Sequence, residues 1–329
     1  MSTHETYMRR CLEIARNGLG CVAPNPMVGA VLVRGGKIIA EGFHRAYGLP
    51  HAEPEAIGKV SDRALLRECT LYVSLEPCSH FGKTPPCTEL IIASQIPRVV
   101  VAATDTFPKV NGAGILRLRE AGIEVAVGVL EREACELNKR FFTFHEKKRP
   151  YIILKWAQTA DGFIDVCRTA SEPAAKISND EAHRLSHRWR TEEQAIMVGT
   201  NTVLMDNPAL TARLWQGKNP ARVTVDEKNV LPRTLNIFNS EAQTIVFDNA
   251  DISVWLKELY ERNIQSLIVE GGAQLLRSFI DAGLWNEARI FTSPQQFGKG
   301  VSAPIIDGVL RSEESLGDNV LRVMCNGKN

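Results

Sequence analysis

The 329-residue chain offers almost no net charge to a polyanion: 39 lysines and arginines stand against 38 acids, a formal charge of +1. A protein that tracks a phosphate backbone needs a basic stripe. None is visible, so nucleic acid is not expected as a partner, although a local basic pocket for one phosphate is allowed. No apolar run approaches the roughly 20 residues that span a bilayer, so no membrane association is expected. The first residues, MSTHETYMRRCLEIARNGLG, lack a long apolar core, so no leader is expected and the cytoplasm is the expected compartment. Eight scattered cysteines are too few for a disulfide scaffold in a chain of this length. They read as reduced thiols, some of them on a metal. With 44% hydrophobic and 23% charged residues, the composition is that of an ordinary globular protein long enough for two domains.

The first half alternates helical and strand patterns. Tyr7 to Asn17 has helical spacing, Val28 to Val33 reads as a buried strand, and Lys37 to Ala40 follows the Gly35-Gly36 turn as in a hairpin. Leu71–Leu75 and Arg98–Ala103 are further buried strands. Helices are expected near Ala52–Val60, Thr88–Ser94, Gly114–Ala121 and Glu131–Phe144. This rhythm implies a layered α/β unit with a largely parallel sheet. The charged stretch Glu146–Pro150 reads as a linker. Beyond it the β/α rhythm restarts, with strands at Tyr151–Trp156, Ala195–Gly199, Arg222–Asp226, Thr244–Phe247, Ser266–Glu270 and Ala288–Thr292. Helices are expected at Asp180–Arg190, Ser253–Arg262 and Gly272–Ala282. The expected division is 1–146 and 150–329.

The strongest chemical signal is His51-Ala-Glu53 followed by Pro77-Cys78 and, after eight intervening residues, Cys87. One imidazole and two thiolates hold zinc and leave its fourth position for water. Such a metal lowers the pKa of that water and makes it a nucleophile toward a ring carbon bearing an amine. Glu53, placed at a helix start, takes the water's proton and passes it to the ring nitrogen and the departing ammonia. This pairing of His-x-Glu with a later Pro-Cys is the signature of nucleobase deaminases. Cys87 stands where a helix begins, which favours thiolate. The plain alternative is a core histidine and two inert buried thiols. The joint occurrence of all four residues between strands argues against it. His80 is a rival ligand, but a fourth protein ligand would close the site. Cys11, Cys21, Cys69 and Cys135 read as structural. Asn25, within Ala23-Pro-Asn-Pro-Met-Val-Gly29, carries an amide able to read the donor and acceptor edges of a ring; Pro-Asn-Pro is also plain turn chemistry.

These residues carry a family resemblance. His51-Ala-Glu53, Glu76-Pro-Cys-Ser-His-Phe-Gly-Lys-Thr-Pro-Pro-Cys87 and the Asn25 segment resemble the bifunctional deaminase-reductases of riboflavin biosynthesis. The long loop in place of Cys-x-x-Cys is itself a mark of that family. The resemblance covers nearly the whole chain. It implies an N-terminal cytidine-deaminase-like α/β/α layered domain that removes ammonia from 2,5-diamino-6-(5-phosphoribosylamino)pyrimidin-4-one. It also implies a C-terminal dihydrofolate-reductase-like α/β domain in which NADPH reduces the ribosyl group to ribityl. Carried over by position, His51, Cys78 and Cys87 match the Zn2+ ligands and Glu53 the proton shuttle. Ala157, Thr202, Asp206 and the run Gly271, Gly272, Ala273, Gln274, Leu275 match cofactor contacts. Asn25, Arg190, Leu210, Arg213 and Glu270 match substrate contacts. Thr159-Ala-Asp-Gly162 stands where the family usually has Ser-Leu-Asp-Gly, and no roles are assigned over residues 163–178.

Three rival readings separate on simple features. A deaminase of free nucleosides or of a tRNA base would call, in the RNA case, for a basic stripe. A structural zinc beside a binding module would call for a fourth protein ligand and no Glu53. A zinc deaminase beside a degenerate, non-reducing nucleotide-binding half would release ammonia and leave NADPH unconsumed. The expected partner is a small pyrimidine ribotide, and the expected assembly is a homo-oligomer.

Overall fold

The computed structural model describes residues 3–79, 85–106 and 111–327. The chain divides into two compact units, Met1–Lys148 and Arg149–Asn329.

The first unit runs α1 (Thr3–Ala15), β1 (Gly29–Arg34), β2 (Lys37–Phe43), α2 (Ala52–Gly58), β3 (Thr70–Leu75), α3 (Cys87–Ala93), β4 (Arg98–Ala103), α4 (Ala113–Glu120), β5 (Glu124–Val127), α5 (Glu131–Leu137) and α6 (Lys139–Lys147). Its sheet has the order β2-β1-β3-β4-β5. The sheet is mixed: β1 is antiparallel to β2 and β3, while β3, β4 and β5 run parallel. β2, β3, β4 and β5 therefore point the same way and β1 runs against them, so the sheet is largely parallel, as expected. The hairpin at Gly35-Gly36 reverses β2, and an antiparallel β1 follows from that short return. β3 is buried on both faces along its whole length. Leu71, Val73, Val99 and Val101 face one layer with Ala56, Ile57, Ile91 and Leu118. Val31, Tyr72, Val100 and Ala102 face the other with Met8, Leu12, Ala134 and Phe141. Strand alternation therefore explains the α/β/α sandwich directly.

Two helix boundaries differ from the sequence reading. The pattern at 131–144 is two helices, broken at Asn138, whose backbone leaves the helical region. The stretch Glu146–Pro150 is not a free linker at its start, because α6 continues through Lys147. The apolar pattern Phe141, Phe142, Phe144 on a helical face holds those charged residues in the last turn.

The second unit contains β6 (Tyr151–Gln158), β7 (Phe163–Asp165), α7 (Asp180–Glu192), β8 (Ala195–Val198), α8 (Thr200–Asp206), β9 (Ala221–Val225), β10 (Thr244–Phe247), α9 (Ile252–Glu261), β11 (Ser266–Glu270), α10 (Ala273–Asp281), β12 (Glu287–Thr292), β13 (Val301–Ser302), β14 (Val309–Leu316) and β15 (Asn319–Cys325). The main sheet has the order β10-β9-β8-β11-β6-β12-β15-β14, parallel from β10 to β12, with the last two strands antiparallel. Ile152, Leu154 and Trp156 pack against α9 and α10, while Ile153, Ile196 and Ile268 pack on the side of α7 and α8. β14 and β15 escaped the sequence reading for a physical reason. β14 is exposed along nearly its whole length, so it shows no alternation of buried and exposed positions. Among the described residues, no helix is long and apolar enough to cross a membrane.

Candidate active sites

In the first unit, His51 is the residue that opens α2, Cys87 opens α3, and Cys78 follows the end of β3. These three termini bring the side chains together. Nδ1 of His51 lies 3.6 Å from Sγ of Cys78 and 3.4 Å from Sγ of Cys87, and all three donor atoms fall within 4.8 Å of one another. Zinc bound tetrahedrally at ordinary Zn–N and Zn–S lengths would separate its nitrogen and sulfur ligands by about 3.6 Å. The spacing therefore fits a metal of that size and donor preference. The Cys78 carbonyl accepts bonds from the Thr88 N–H and hydroxyl, both at 3.2 Å, which pins the thiol against the start of α3. The Cys87 N–H points at Sγ of Cys78 at 3.4 Å. The Cys78 thiol is held well below its ordinary value, first by the Cys87 thiol and then by His51.

Glu53 lies in the first turn of α2 and is 2% exposed; its Oε2 is buried with no hydrogen-bond partner. Burial first, and the neighbouring Cys78 next, push its carboxyl up to about 7. A carboxyl so placed exchanges protons readily near neutrality. α2 can approach this closely because β2 carries Gly42. A Cβ there would come within 2.4 Å of the Ala52 carbonyl oxygen and the Ala56 nitrogen.

Asn25 comes to the same region through a residue that the sequence reading left without a role. Its Nδ2 is 3.0 Å from Nε2 of His44, whose Nδ1 is 3.0 Å from the Pro50 carbonyl oxygen. Since Nδ1–H must donate to that carbonyl, Nε2 accepts from the Asn25 amide. Burial holds His44 below its ordinary value, in keeping with this neutral ring. The His44 and His51 rings meet edge to face at 5.3 Å. Glu76, also without an assigned role, is buried and accepts from the N–H groups of Asp105, Gly112, Gly114 and Ile115. It thereby ties the residues before Cys78 to the start of α4. His80, the rival ligand, lies outside the described residues.

In the second unit the candidate residues gather at the carboxyl ends of parallel strands, where open α/β sheets bind ligands. Glu270 ends β11 and pairs in register with Lys155 of β6. Arg190, near the end of α7, donates from Nη2 to Glu270 Oε2 at 2.9 Å and from Nη1 to the Thr211 carbonyl oxygen at 3.0 Å. Lys155 Nζ is 4.0 Å from the other Glu270 oxygen. Burial alone would raise Glu270, yet Arg190 and then Lys155 hold it down to about 2. From sequence alone Arg190 and Glu270 are separate contacts, and Lys155 carries no role. Only the strand order places the lysine beside the carboxylate.

Gly271 and Gly272 have φ of +66° and +64°, a region that costs side chains with a Cβ, and they lead into α10. Thr202 Oγ1 would lie 3.2 Å from a Cβ built on Gly272, so α8 and this turn face each other. Ala273 is buried and Gln274 exposed at the start of α10. Backbone N–H groups at such a helix start suit an anion. Asp206 is exposed but already paired: Arg168, whose side chain is buried, bonds to both Asp165 and Asp206. Leu210 is 4% exposed with its side chain in the core and φ of +55°, so its backbone rather than its side chain can face a ligand. Arg213 is exposed. Ala157 is half-buried, one position beyond Trp156 on β6.

Comparison with known proteins agrees with both halves. Residues 1–103 match the cytidine and deoxycytidylate deaminase zinc-binding region, and residues 150–326 match the RibD C-terminal domain. The riboflavin biosynthesis protein RibD of Aquifex aeolicus is 40% identical over 95% of this chain and 92% of its own. That of Bacillus amyloliquefaciens is 40% identical over 92% and 88%. The solved diaminohydroxyphosphoribosylaminopyrimidine deaminase/5-amino-6-(5-phosphoribosylamino)uracil reductase of Thermotoga maritima superposes with a TM-score of 0.90 at 40% identity, over 98% of both chains. Acinetobacter baumannii RibD does so at 0.91 and 29%, again over 98% of both. Given this identity over nearly the full length, the chain belongs to the RibD family of bifunctional deaminase-reductases of riboflavin biosynthesis.

Proposed function

We propose that residues 1–146 deaminate 2,5-diamino-6-(5-phosphoribosylamino)pyrimidin-4-one and that residues 150–329 then reduce its ribosyl group to ribityl. The observation that carries the first step is the His51, Cys78, Cys87 cluster with an unpartnered Glu53 oxygen beside it. The cofactors are zinc and NADPH. His51, Cys78 and Cys87 would hold the zinc, which would supply Lewis-acid activation of a water at neutral pH. Glu53 would take one proton from the water for the ring nitrogen, and then the proton of the added hydroxyl for the amine, which leaves as ammonia. Asn25, with one amide hydrogen committed to His44, keeps its oxygen and second hydrogen for the ring edge. Burial of Glu53 excludes bulk water from the transfer.

Once bound there, NADPH would supply hydride chemistry for C1′ of the sugar in its open-chain imine or carbonyl form. The turn Gly271–Gly272 and the α10 residues Ala273, Gln274 and Leu275 hold its phosphates, while Ala157, Thr202 and Asp206 position the rest. Arg213 and the Arg190–Glu270 pair orient the ribotide, and the backbone at Leu210 lines its seat. Guanidinium forks suit its phosphate. A zinc deaminase beside a non-reducing half is not favoured, because the second unit matches the RibD C-terminal domain over residues 150–326. We expect a homo-oligomer in the cytoplasm, and sedimentation of the purified chain checks the assembly. The decisive test is mass analysis of the diaminopyrimidine ribotide after incubation with the protein, with and without NADPH. Loss of the amine in both arms and a two-hydrogen gain only with NADPH is the expected result.

A further inference from the structure

Asn138 lies 111 residues from Met27 in sequence, beyond the stretch that matches the deaminase zinc-binding region. It sits at the break between α5 and α6, with φ −102° and ψ 22°, and is 2% exposed. Its Oδ1 accepts from the Met27 N–H at 2.8 Å, and its Nδ2 donates to the Met27 carbonyl at 2.9 Å. One buried side-chain amide thus satisfies both polar groups of one backbone unit, as a neighbouring strand would. Met27 is itself 6% exposed and packs with Ala15 and Val22. Two residues later the Gly29 N–H donates to the buried Ser74 hydroxyl at 3.0 Å, as β1 begins. Asn25 is therefore held from one side by this clasp on Met27, and from the other by the bond of its own N–H to the Val22 carbonyl at 2.9 Å.

From this geometry we infer that Asn138 is a positioning residue for deamination. It fixes the Met27 backbone, and so sets the Asn25 amide against His44 and the edge of the pyrimidine ring. The inference rests on the reading of Asn25 as a substrate contact. The path is short and continuous: Asn138 to the Met27 backbone, two residues along to Asn25, to His44 at 3.0 Å, and to Pro50 beside the candidate ligand His51. Without the clasp, two buried backbone groups lose their partners, and the segment must shift to find others. A shift of about 1 Å in a substrate-orienting group is enough to cost as much as a hundredfold in rate or binding. The hydrogen bonds of Asn138 go to Met27, Ala134 and Phe142 rather than to the residues proposed to hold zinc, so loss of its amide acts on substrate engagement and leaves the metal in place.

The test uses the full-length chain loaded with zinc. N138D keeps the volume and the acceptor for the Met27 N–H but sets a carboxylate oxygen against the Met27 carbonyl; N138A removes both bonds. Both are expected to retain stoichiometric zinc and to reduce the already deaminated ribotide at the parent rate, which reports an intact chain. KM for deamination should rise about tenfold with kcat changed by less than about threefold, since a binding contact is displaced while the proton shuttle is not. The double variant N25A/N138D should be no weaker than N25A, because residues acting through one another do not add. An impaired N25A beside an N138D of unchanged KM overturns the inference alone. Loss of zinc in both Asn138 variants, or multiplicative losses in the double variant, overturns it too. An N25A variant with unchanged KM overturns the reading of Asn25, and the inference with it.

Discussion

The two sites of this chain are built from different materials. The proposed deaminase site is a set of side chains whose chemistry is almost irreplaceable: one imidazole, two thiols and a buried carboxyl, brought together by the starts of α2 and α3 and the end of β3. The proposed reductase site is mostly shape. As proposed, it consists of a positive-φ glycine turn, a helix start, strand ends, and one largely buried ion-pair cluster of Arg190, Glu270 and Lys155. Zinc accepts few donor sets, so a metal site leaves a strong imprint on residue type and spacing. A dinucleotide is held largely by backbone groups, which many sequences can supply, so the imprint there is faint.

The sharpest way to break this contrast is to remove the metal. Cys87→Ser should lose zinc and lower deamination on the order of a thousandfold, the several kcal/mol that a Lewis acid contributes. Reduction of the deaminated ribotide should continue, because the second unit has its own core on both faces of its sheet. Metal analysis with both activity assays decides it. A variant that keeps zinc, or that loses both activities together, would contradict the division of labour.

This contrast also explains what was legible in advance. His51, Cys78 and Cys87 could be picked out because their types are rare and their order is constrained, and Glu53 because it stands two residues after His51. β1, β3 and β4 were legible as runs buried on both faces, and β2 through the Gly35-Gly36 turn before it. Lys155 was not, since its partner Glu270 lies more than a hundred residues away and meets it only through the β11–β6 register. Asn138 and Glu76 were not, because what they bind is backbone, which has no letter in the sequence. β14 and β5 were missed because exposed strands lack a hydrophobic period. Asp206 carries the reverse lesson. Motif position implies that it contacts the cofactor, but only the structure reveals that Arg168 already holds it.

A smaller effect separates metal binding from proton transfer within the first site. Glu53→Gln should keep stoichiometric zinc and lower ammonia release by about a hundredfold or more, the range of a positioned acid–base group. Isothermal zinc titration beside a continuous ammonia assay gives both numbers on one preparation. A normal rate would make Glu53 structural.

Within the second site the contrast sharpens between the two ligands. Arg213→Ala should raise KM for the ribotide about tenfold, the loss of one charged contact near 1.4 kcal/mol, with NADPH affinity nearly unchanged. Asp206→Ala should do the opposite. It also releases Arg168 from one of its two carboxylates, so the segment around residues 165–175 should become more open to proteolysis. Equal effects of both variants on the same ligand would overturn the assignments.

The smallest expected effect lies in pH and tests whether the two units differ in acid sensitivity above pH 4. His187 of α7 is 3% exposed; burial first, and then Arg190, hold it down from 6.5 to about 4. Arg213 and His183 also oppose its protonation, while Glu270 favours it. The folded ring is therefore neutral where the unfolded one is charged. Below 6.5 the unfolded chain binds a proton that the folded chain refuses, so stability falls as pH drops toward 4 and levels off beneath it. Glu270, held down to about 2, acts in a lower window: its contribution is full above 4.5 and fades as pH falls toward 2. His187→Gln keeps an acceptor for the Leu214 N–H and removes the titration. The midpoint of the second unit in that variant should drop by a few degrees less than in the parent between pH 6.5 and 4. Some slope should persist, because His183 is shifted in the same direction by burial. Scanning calorimetry of the parent and the variant at matched ionic strength measures the difference. Equal slopes in the two proteins would show that His187 is free to protonate in the fold.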